Sequence, residues 1–532
     1  MSILKTKKNT LAIAVALAFS GSAFADNQSA TVEQVGDENE AYVEQGGIDH
    51  AATALQYGDS NDVIILQSGT GPFSGNAADS LQDGHDNSAE ITQDGDWHIA
   101  ESEQVGDGNV TTITQMDDWQ EGFAYVYGDD NFAALDQYGF YNIGTIEIDG
   151  DGNAASIYQD GTQNFAEILL FGDDNVSDVV QEGDFNEASA AAFGNDNEFY
   201  QSQQGSDNWS LFEIEGDGNT FLGDTTGDLN ETGVLFGVGN DNYADFYQVG
   251  NSNVAGIIGL DGDSNTVFTM QDGDGNVFIA YDVEGNDNFV DVLQRGNDNL
   301  FLLDPLQGDQ NVILADQRGD RNLIDGPSGM VGNENEVDVY QRGDDNLAVF
   351  ETEGDRHNVS VQQIGDWNEA VGASYGYNND VEVSSRGDYN WNAVAVDGEY
   401  NDVEASQFGD ENTSLVEFTG DDNTIRANQD GDSNELYVSS GASVASNNTI
   451  DADQQGDINL IDLMVTGNQN LVSLLQDGTN NSIEAEVGGN GGSVDIFQQG
   501  DYNSVMGQQM SNNSMMSVTQ VGYGNSATVI QN

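Results

Sequence analysis

Apolar and polar residues alternate over short stretches along nearly the whole chain. In residues 39–45, Asn39, Ala41, Val43 and Gln45 share one face, while Glu40, Tyr42 and Glu44 share the other. A period of two predicts a strand. The same facing set recurs as Asn61/Val63/Ile65/Gln67, Asn131/Ala133/Leu135/Gln137, Asn288/Val290/Val292/Gln294 and Asn470/Val472/Leu474/Gln476. This Asn–apolar–apolar–Gln face is assigned to the interior. Between strands stands a turn signal with the consensus Q-x-G-D-x-N, as at residues 34–39, 56–61, 181–186, 341–346 and 429–434. Its glycine opens backbone angles closed to other residues, so each stretch reads as a strand of about six or seven residues closed by a Gly-Asp turn.

Spacing turns these strands into an architecture. Asn109, Asn131, Asn153, Asn175, Asn197 and Asn219 follow at intervals of 22, and Asn242, Asn265, Asn288 and Asn311 at 23, with a second copy about halfway between. Two strands and two turns make one rung. The prediction is an all-β fold, a β-solenoid with two strands per rung of about 22 residues and parallel stacked cross-β sheets. Inward amides look wrong for a core, since an unpaired buried amide costs roughly 1–3 kcal/mol. In a stack, each can donate to the copy on one side and accept from the copy on the other. The expected structural ladder comprises Gln34, Asn39, Gln45, Asn61, Gln67, Asn131, Gln137, Asn153, Gln159, Asn288, Gln294, Asn311, Gln317, Gln341, Asn423, Gln429, Asn470 and Gln476.

Residues 1–25 break the pattern. Lys5, Lys7 and Lys8 precede an apolar run from Leu11 to Phe19, and Ala23-Phe24-Ala25 forms an A-x-A cleavage site, so a secretory signal peptide is expected there. Residues 26–532 then form a single repeat solenoid. Loop excursions are expected near 68–79, 325–331 and 439–447, where the phase slips. No later stretch is long and apolar enough for a transmembrane helix.

Charge narrows the partners. The only three lysines lie in the leader, and seven arginines remain against 94 acidic residues, within a formal charge of −84 for the whole chain. Such a surface repels nucleic acid and favours solubility before assembly. Cysteine is absent, so no disulfide contributes. Stacked Gly-Asp turns, with Asp173, Asp217 and Asp241 as examples, are expected to lie one rung apart and to gather cations diffusely. No cofactor is expected beyond Ca²⁺ or Mg²⁺ as non-specific counter-ions.

The repeat Q-x-G-x-x-N-x-A-x-x-x-Q, as in residues 34–45, resembles that of the curlin family of bacterial amyloid-fibre subunits. The resemblance implies a secreted structural subunit of curli-like fibres at the bacterial outer surface, supporting adhesion, aggregation and biofilm. The implied partners are further copies of the chain added end to end, a nucleator and an outer-membrane export pore. Strand residues begin directly after the leader, and Asn525, Ala527, Val529 and Gln531 complete a strand at the other end. Strand edges left open there would template further copies. The alternative is a monomeric acidic β-solenoid acting as an adhesin or matrix protein that binds divalent cations.

Other signals carry less. Asp149–Asn153 and Asp272–Asn276 resemble half of a calcium loop but lack its glutamate at position 12 and its helices. Arg318–Asp320, Arg342–Asp344 and Arg386–Asp388 spell Arg-Gly-Asp because Arg fills the variable slot before the turn. The four histidines are scattered, His98 stands at a ladder Asn position, and no acidic pair is singled out, so no enzyme is expected.

Overall fold

The computed structural model describes residues 27–69, 71, 75–326, 329–441 and 443–532. The signal peptide expected at residues 1–25 lies outside the described residues. Every regular element among them is a strand. The chain forms two compact units, one ending at Asn251 and one spanning Ser252–Asn532. Each is a parallel β-solenoid, the fold class that the alternation predicts.

In the first unit, strands alternate between two sheets. Ser29–Val35, Ala51–Tyr57 and Ala77–Asp83 open one, and Glu40–Gly46, Asp62–Ser68 and Ser88–Asp96 open the other. Equivalent residues of successive rungs pair, so Gln45 faces Gln67 and Val43 faces Ile65. The second unit repeats this, with Gln294 in register with Gln317 and Gln341 in register with Gln363. Side chains alternate between the interior and the surface: in Ala154–Thr162, Ala155, Ile157 and Gln159 are buried. Between the sheets lies a thin core of aliphatics, with Phe199, Phe212, Phe221 and Phe246 stacked in the last rungs of the first unit.

Most turns use two left-handed residues. At Gly172–Asn175 the glycine has φ +122° and Asp174 has φ +57°. A Cβ on Gly172 would lie 2.1 Å from the carbonyl oxygen of Gly194 in the next rung, so only glycine lets the turns stack this closely. The residue before the ladder Asn takes the second left-handed position, which Asp, Asn and Ser tolerate best. Many bulky residues occupy it nonetheless, among them Trp97, Trp119, Tyr141, Phe185, Trp367, Tyr389 and Tyr400.

The repeat absorbs irregularities outside its ladder. Pro305 separates Leu300–Leu303 from Leu306–Gln307, because it has no N–H to donate to the sheet. Phe236, with φ +58°, sits at a bulge where Trp209–Glu215 pairs with Glu231–Val238. Where the spacing stretches to 26, 24 and 25 residues, the ladder bonds Asn87 to Asn61, Asn335 to Asn311 and Asn448 to Asn423 still measure 3.1, 3.1 and 3.0 Å. Extra residues therefore leave the stacking register intact.

Candidate functional site

The most regular chemistry in the chain is its buried amides. In one sheet of the first unit, the Nε2 of Gln45 donates to Oε1 of Gln67 at 2.8 Å, and Gln67 donates to Gln93 in turn. The run continues through Gln115, Gln137, Gln159, Gln181 and Gln203 at 2.9 Å each. In the second unit Gln271, Gln294, Gln317, Gln341 and Gln363 repeat it at 2.8–3.0 Å. After Ser385 a further run links Gln407, Gln429, Gln454, Gln476, Gln498 and Gln520 at 2.9–3.0 Å.

Each Gln also ties the two sheets together. Its second N–H donates to a backbone carbonyl of the facing strand: Gln67 to Ala51, Gln137 to Glu121 and Gln294 to Val277, at 2.9–3.0 Å. Both donors and one acceptor of the amide are thereby used, which removes the penalty for burying it.

The asparagines follow a different rule. Oδ1 of Asn109 accepts both the backbone N–H and Nδ2 of Asn131, at 3.0 and 3.1 Å, and Nδ2 of Asn131 also reaches the carbonyl of Gly150 at 2.7 Å. Asn153, Asn288, Asn311, Asn423 and Asn470 make the same contact with their predecessors at 2.8–3.1 Å. Thus one amide clamps two neighbouring turns. Gln34, Asn39 and Gln45 occupy these positions in the first described rung, where they are half-buried; Asn61 and the later ladder residues named from the sequence are buried.

The opposite sheet differs. Its Gln run covers Gln34, Gln56, Gln82 and Gln104, after which Val126, Ile148 and Leu170 occupy the same inward slot. Treating both halves of the repeat alike misses this asymmetry, although the sequence signals it by the loss of every second Gln.

Histidine substitutes for Asn in three places. His50, His98 and His357 are buried in the Asn slot, and Nδ1 of each accepts the backbone N–H of Asn76, Gln120 or Asn379 at 3.2–3.4 Å. That contact requires a neutral ring with its proton on Nε2. Burial pushes all three imidazoles below their ordinary pKa. His357 also contacts the Ser374 hydroxyl at 2.9 Å, but both are buried away from any substrate.

The turn carboxylates are not a simple stack. Oδ1 of Asp173 accepts the backbone N–H of Asp151 at 2.9 Å, while Asp173 N–H donates to Asn195 and Asn195 N–H to Asp217, at 2.8 and 2.7 Å. Asp173 and Asp217 therefore stand two rungs apart, not one. Asp241 is in a different position, the left-handed residue before Asn242, with φ +55°. The three share no site, because backbone amides choose which carboxylates align. The longest aspartate column is in the second unit, from Asp320 through Asp344, Asp366, Asp388, Asp410 and Asp432 to Asp457, again with each Oδ1 on the preceding N–H. These N–H groups relieve part of the repulsion between neighbouring charges. Among the described residues no group of three or more acidic or histidine side chains is arranged to hold a metal ion.

Charge crowding is felt instead on the strand faces. Asp291, Asp338 and Asp380 are raised above the usual carboxylate range, first by burial and then by neighbours such as Asp316 or Asp402. Among the described residues no helix is long and apolar enough to cross a membrane.

Comparison with protein families places this ladder. The curlin-associated repeat matches residues 25–58, 84–115, 128–161, 150–179, 172–200, 332–365 and 398–431. The chain is a curlin-repeat protein. The matched segments fall in both units, and each contains the Gln–turn–Asn register just described. Segments between them, such as residues 252–331, keep the same ladder although the repeat description does not reach them. No curated protein matches the chain.

Proposed function

We propose that this curlin-repeat protein is a secreted structural subunit of extracellular amyloid-like fibres, built by adding copies end to end. The ladder is the observation that carries this reading. Each rung offers the next one the same glutamine donors, asparagine acceptors and open strand edge, so a rung from a second copy meets the same partners as a rung of the same chain. The curlin repeat supports the same assignment, since it belongs to a family of structural proteins. Adhesion, cell aggregation and biofilm matrix are the roles such a fibre would serve. Delivery would run through an outer-membrane pore, and a nucleating subunit would start growth.

The dense turn carboxylates suit a chain that must remain soluble before it assembles. Divalent cations would act as non-specific counter-ions that ease docking of one acidic end onto another. The test is electron microscopy of the purified protein without residues 1–25, with and without sonicated seeds. Unbranched filaments that bind amyloid dyes and extend seeds support the proposal. Isolated short rods that never elongate would overturn it and favour a monomeric, cation-binding adhesin.

A further inference from the structure

Seven arginines remain once residues 1–25 are set aside, and all lie between Arg295 and Arg426. Five of them, Arg295, Arg318, Arg321, Arg342 and Arg386, stand on one turn edge of the second unit. Arg295, Arg318 and Arg342 are in register on three successive rungs, Ile364 takes the next position and Arg386 the one after. Adjacent rungs lie about 4.8 Å apart, so guanidinium groups in one column repel each other. Direct ion pairs relieve only part of that, although Asp320, Asp344 and Asp345 stand in the same turns. Arg318 pairs with Asp316 at 2.6 Å and Arg321 with Asp345 at 2.7 Å. Among the described residues, no carboxylate lies within 4.0 Å of Arg295, Arg342 or Arg386.

Further along, the same edge changes character. Trp367 and Tyr389 stack with ring centroids 6.2 Å apart and planes 2° apart, yet are 54% and 61% exposed. Both occupy the left-handed turn position, with φ +60° and +57°, which is unfavourable for bulky residues. Phe408 is exposed beside them. Asp388 and Asp410 each accept a backbone N–H through Oδ1, and Oδ2 of each has no partner among the described residues. Arg, Trp, Tyr and Phe are the side chains enriched at the cores of protein interfaces.

We propose that this edge pairs two copies of the chain side by side and antiparallel. The arginine-rich turns of residues 295–345 would meet the aromatic and carboxylate turns of residues 364–411 of the other copy, and the reverse. A two-fold arrangement satisfies both halves with a single surface. A second copy fits better than an unrelated acidic partner, because it supplies carboxylates for the arginines and guanidinium groups for Asp388, Asp410 and Glu411 at once. Six turns span only about 24 Å at this rung spacing, so one pair is weak. Filaments that present the edge repeatedly would bundle firmly. Lateral pairing of this kind is separate from end-to-end growth.

A charge swap tests it on the full chain without residues 1–25. One variant carries Arg295→Glu and Arg342→Glu; the other carries Tyr389→Arg and Glu411→Arg. Arg321 and Arg356, with φ +59° and +61°, show that arginine is accommodated at the backbone position of 389 and 411. In low salt, sedimentation velocity is expected to show pairing of the wild type and at least about tenfold weaker pairing of either variant alone. An equimolar mixture of the two variants should pair again, because the reversed halves then face each other with opposite charge. Pairing unchanged in the single variants, no recovery in the mixture, or a wild type that stays unpaired would each overturn the proposal. Where filaments grow, micrographs give the same reading: paired filaments for the wild type and single filaments for each variant. Loss of pairing with growth intact bears on this edge, whereas loss of growth bears on the fibre reading.

Discussion

Replacing Gln294 by Glu changes one atom of a buried ladder amide. Nε2 of Gln294 donates to Val277 O at 3.0 Å and to Oε1 of Gln317 at 2.8 Å, while its own Oε1 accepts from Gln271 at 2.8 Å. Gln294 is fully buried. An ionised glutamate there would set a carboxylate oxygen against two acceptors, so the acid must remain protonated. Holding a group of ordinary pKa about 4.3 neutral at pH 7 costs about 3.7 kcal/mol. A protonated acid can donate only one of the two bonds, and the acceptor left over costs roughly 1–3 kcal/mol more. The sum is roughly 5–7 kcal/mol, comparable to the whole stability of a small domain. Because the folded-state pKa would be raised above 7, the protonation part of the penalty shrinks as pH falls from 7 and is gone at the unfolded value of about 4.3. The assay is hydrogen exchange of the rungs from Thr266 to Arg318, with thermal melting, for wild type and Gln294→Glu at pH 7 and pH 4. Asp291→Asn, on the outward face of the same strand, is the control and should change little. Equal protection of the two variants at pH 7, or no recovery of Gln294→Glu relative to wild type at pH 4, would refute the ladder energetics.

Three further outcomes are expected. His357 is held neutral by burial, with only Asp355 and the carbonyls of Glu353 and Gly376 opposing that effect, so its stabilisation is complete above about pH 6.5 and is lost as pH falls below it. His357→Asn should remove that acid sensitivity from the exchange of residues 335–379, and an unchanged pH profile would count against it. Gly172→Ala meets the Gly194 carbonyl at 2.1 Å in a left-handed turn, and should open the flanking rungs by more than about 2 kcal/mol in hydrogen exchange; a near-neutral effect would contradict the tight stacking. Asp173→Asn keeps the acceptor for Asp151 N–H, as Asn195 does one rung on, and should be neutral or stabilising in low salt, whereas Asp173→Ala should lose about 1–2 kcal/mol in urea unfolding. If both behaved alike, the carboxylate's role as backbone acceptor would be wrong.

The fold was legible because a single rule repeats. Period-two stretches such as residues 39–45, separated by Gly-Asp turns at 22 residues, admit few structures other than stacked rungs, and small phase slips do not blur so many copies. The inward face was legible for the same reason: Asn and Gln at fixed positions beside Val, Ile and Ala make sense only if they pair with copies of themselves. What the repeat hides is how each position is used. Asp173 and Asp241 both read as turn acids, but only the backbone angles separate the residue after Gly from the left-handed residue before Asn. The switch from Gln104 to Val126 in one sheet is a local replacement that a consensus averages away. His50 and His357, unlike His98, were not read as ladder members, although each stands three residues after a turn glycine, at the Asn position. Arg318 and Arg342 read as fillings of a variable slot until the rungs stack them into one column with Arg295.

The most direct test of the fibre account is X-ray diffraction from aligned filaments of the protein without residues 1–25, compared with micrographs of the same sample. The account predicts filaments with a sharp meridional reflection at about 4.7–4.8 Å and an equatorial one near 10 Å, the strands running across the filament and the rungs stacked along it. Filaments lacking the meridional reflection, or a protein that remains as separate rods under conditions where seeds are supplied, would contradict it.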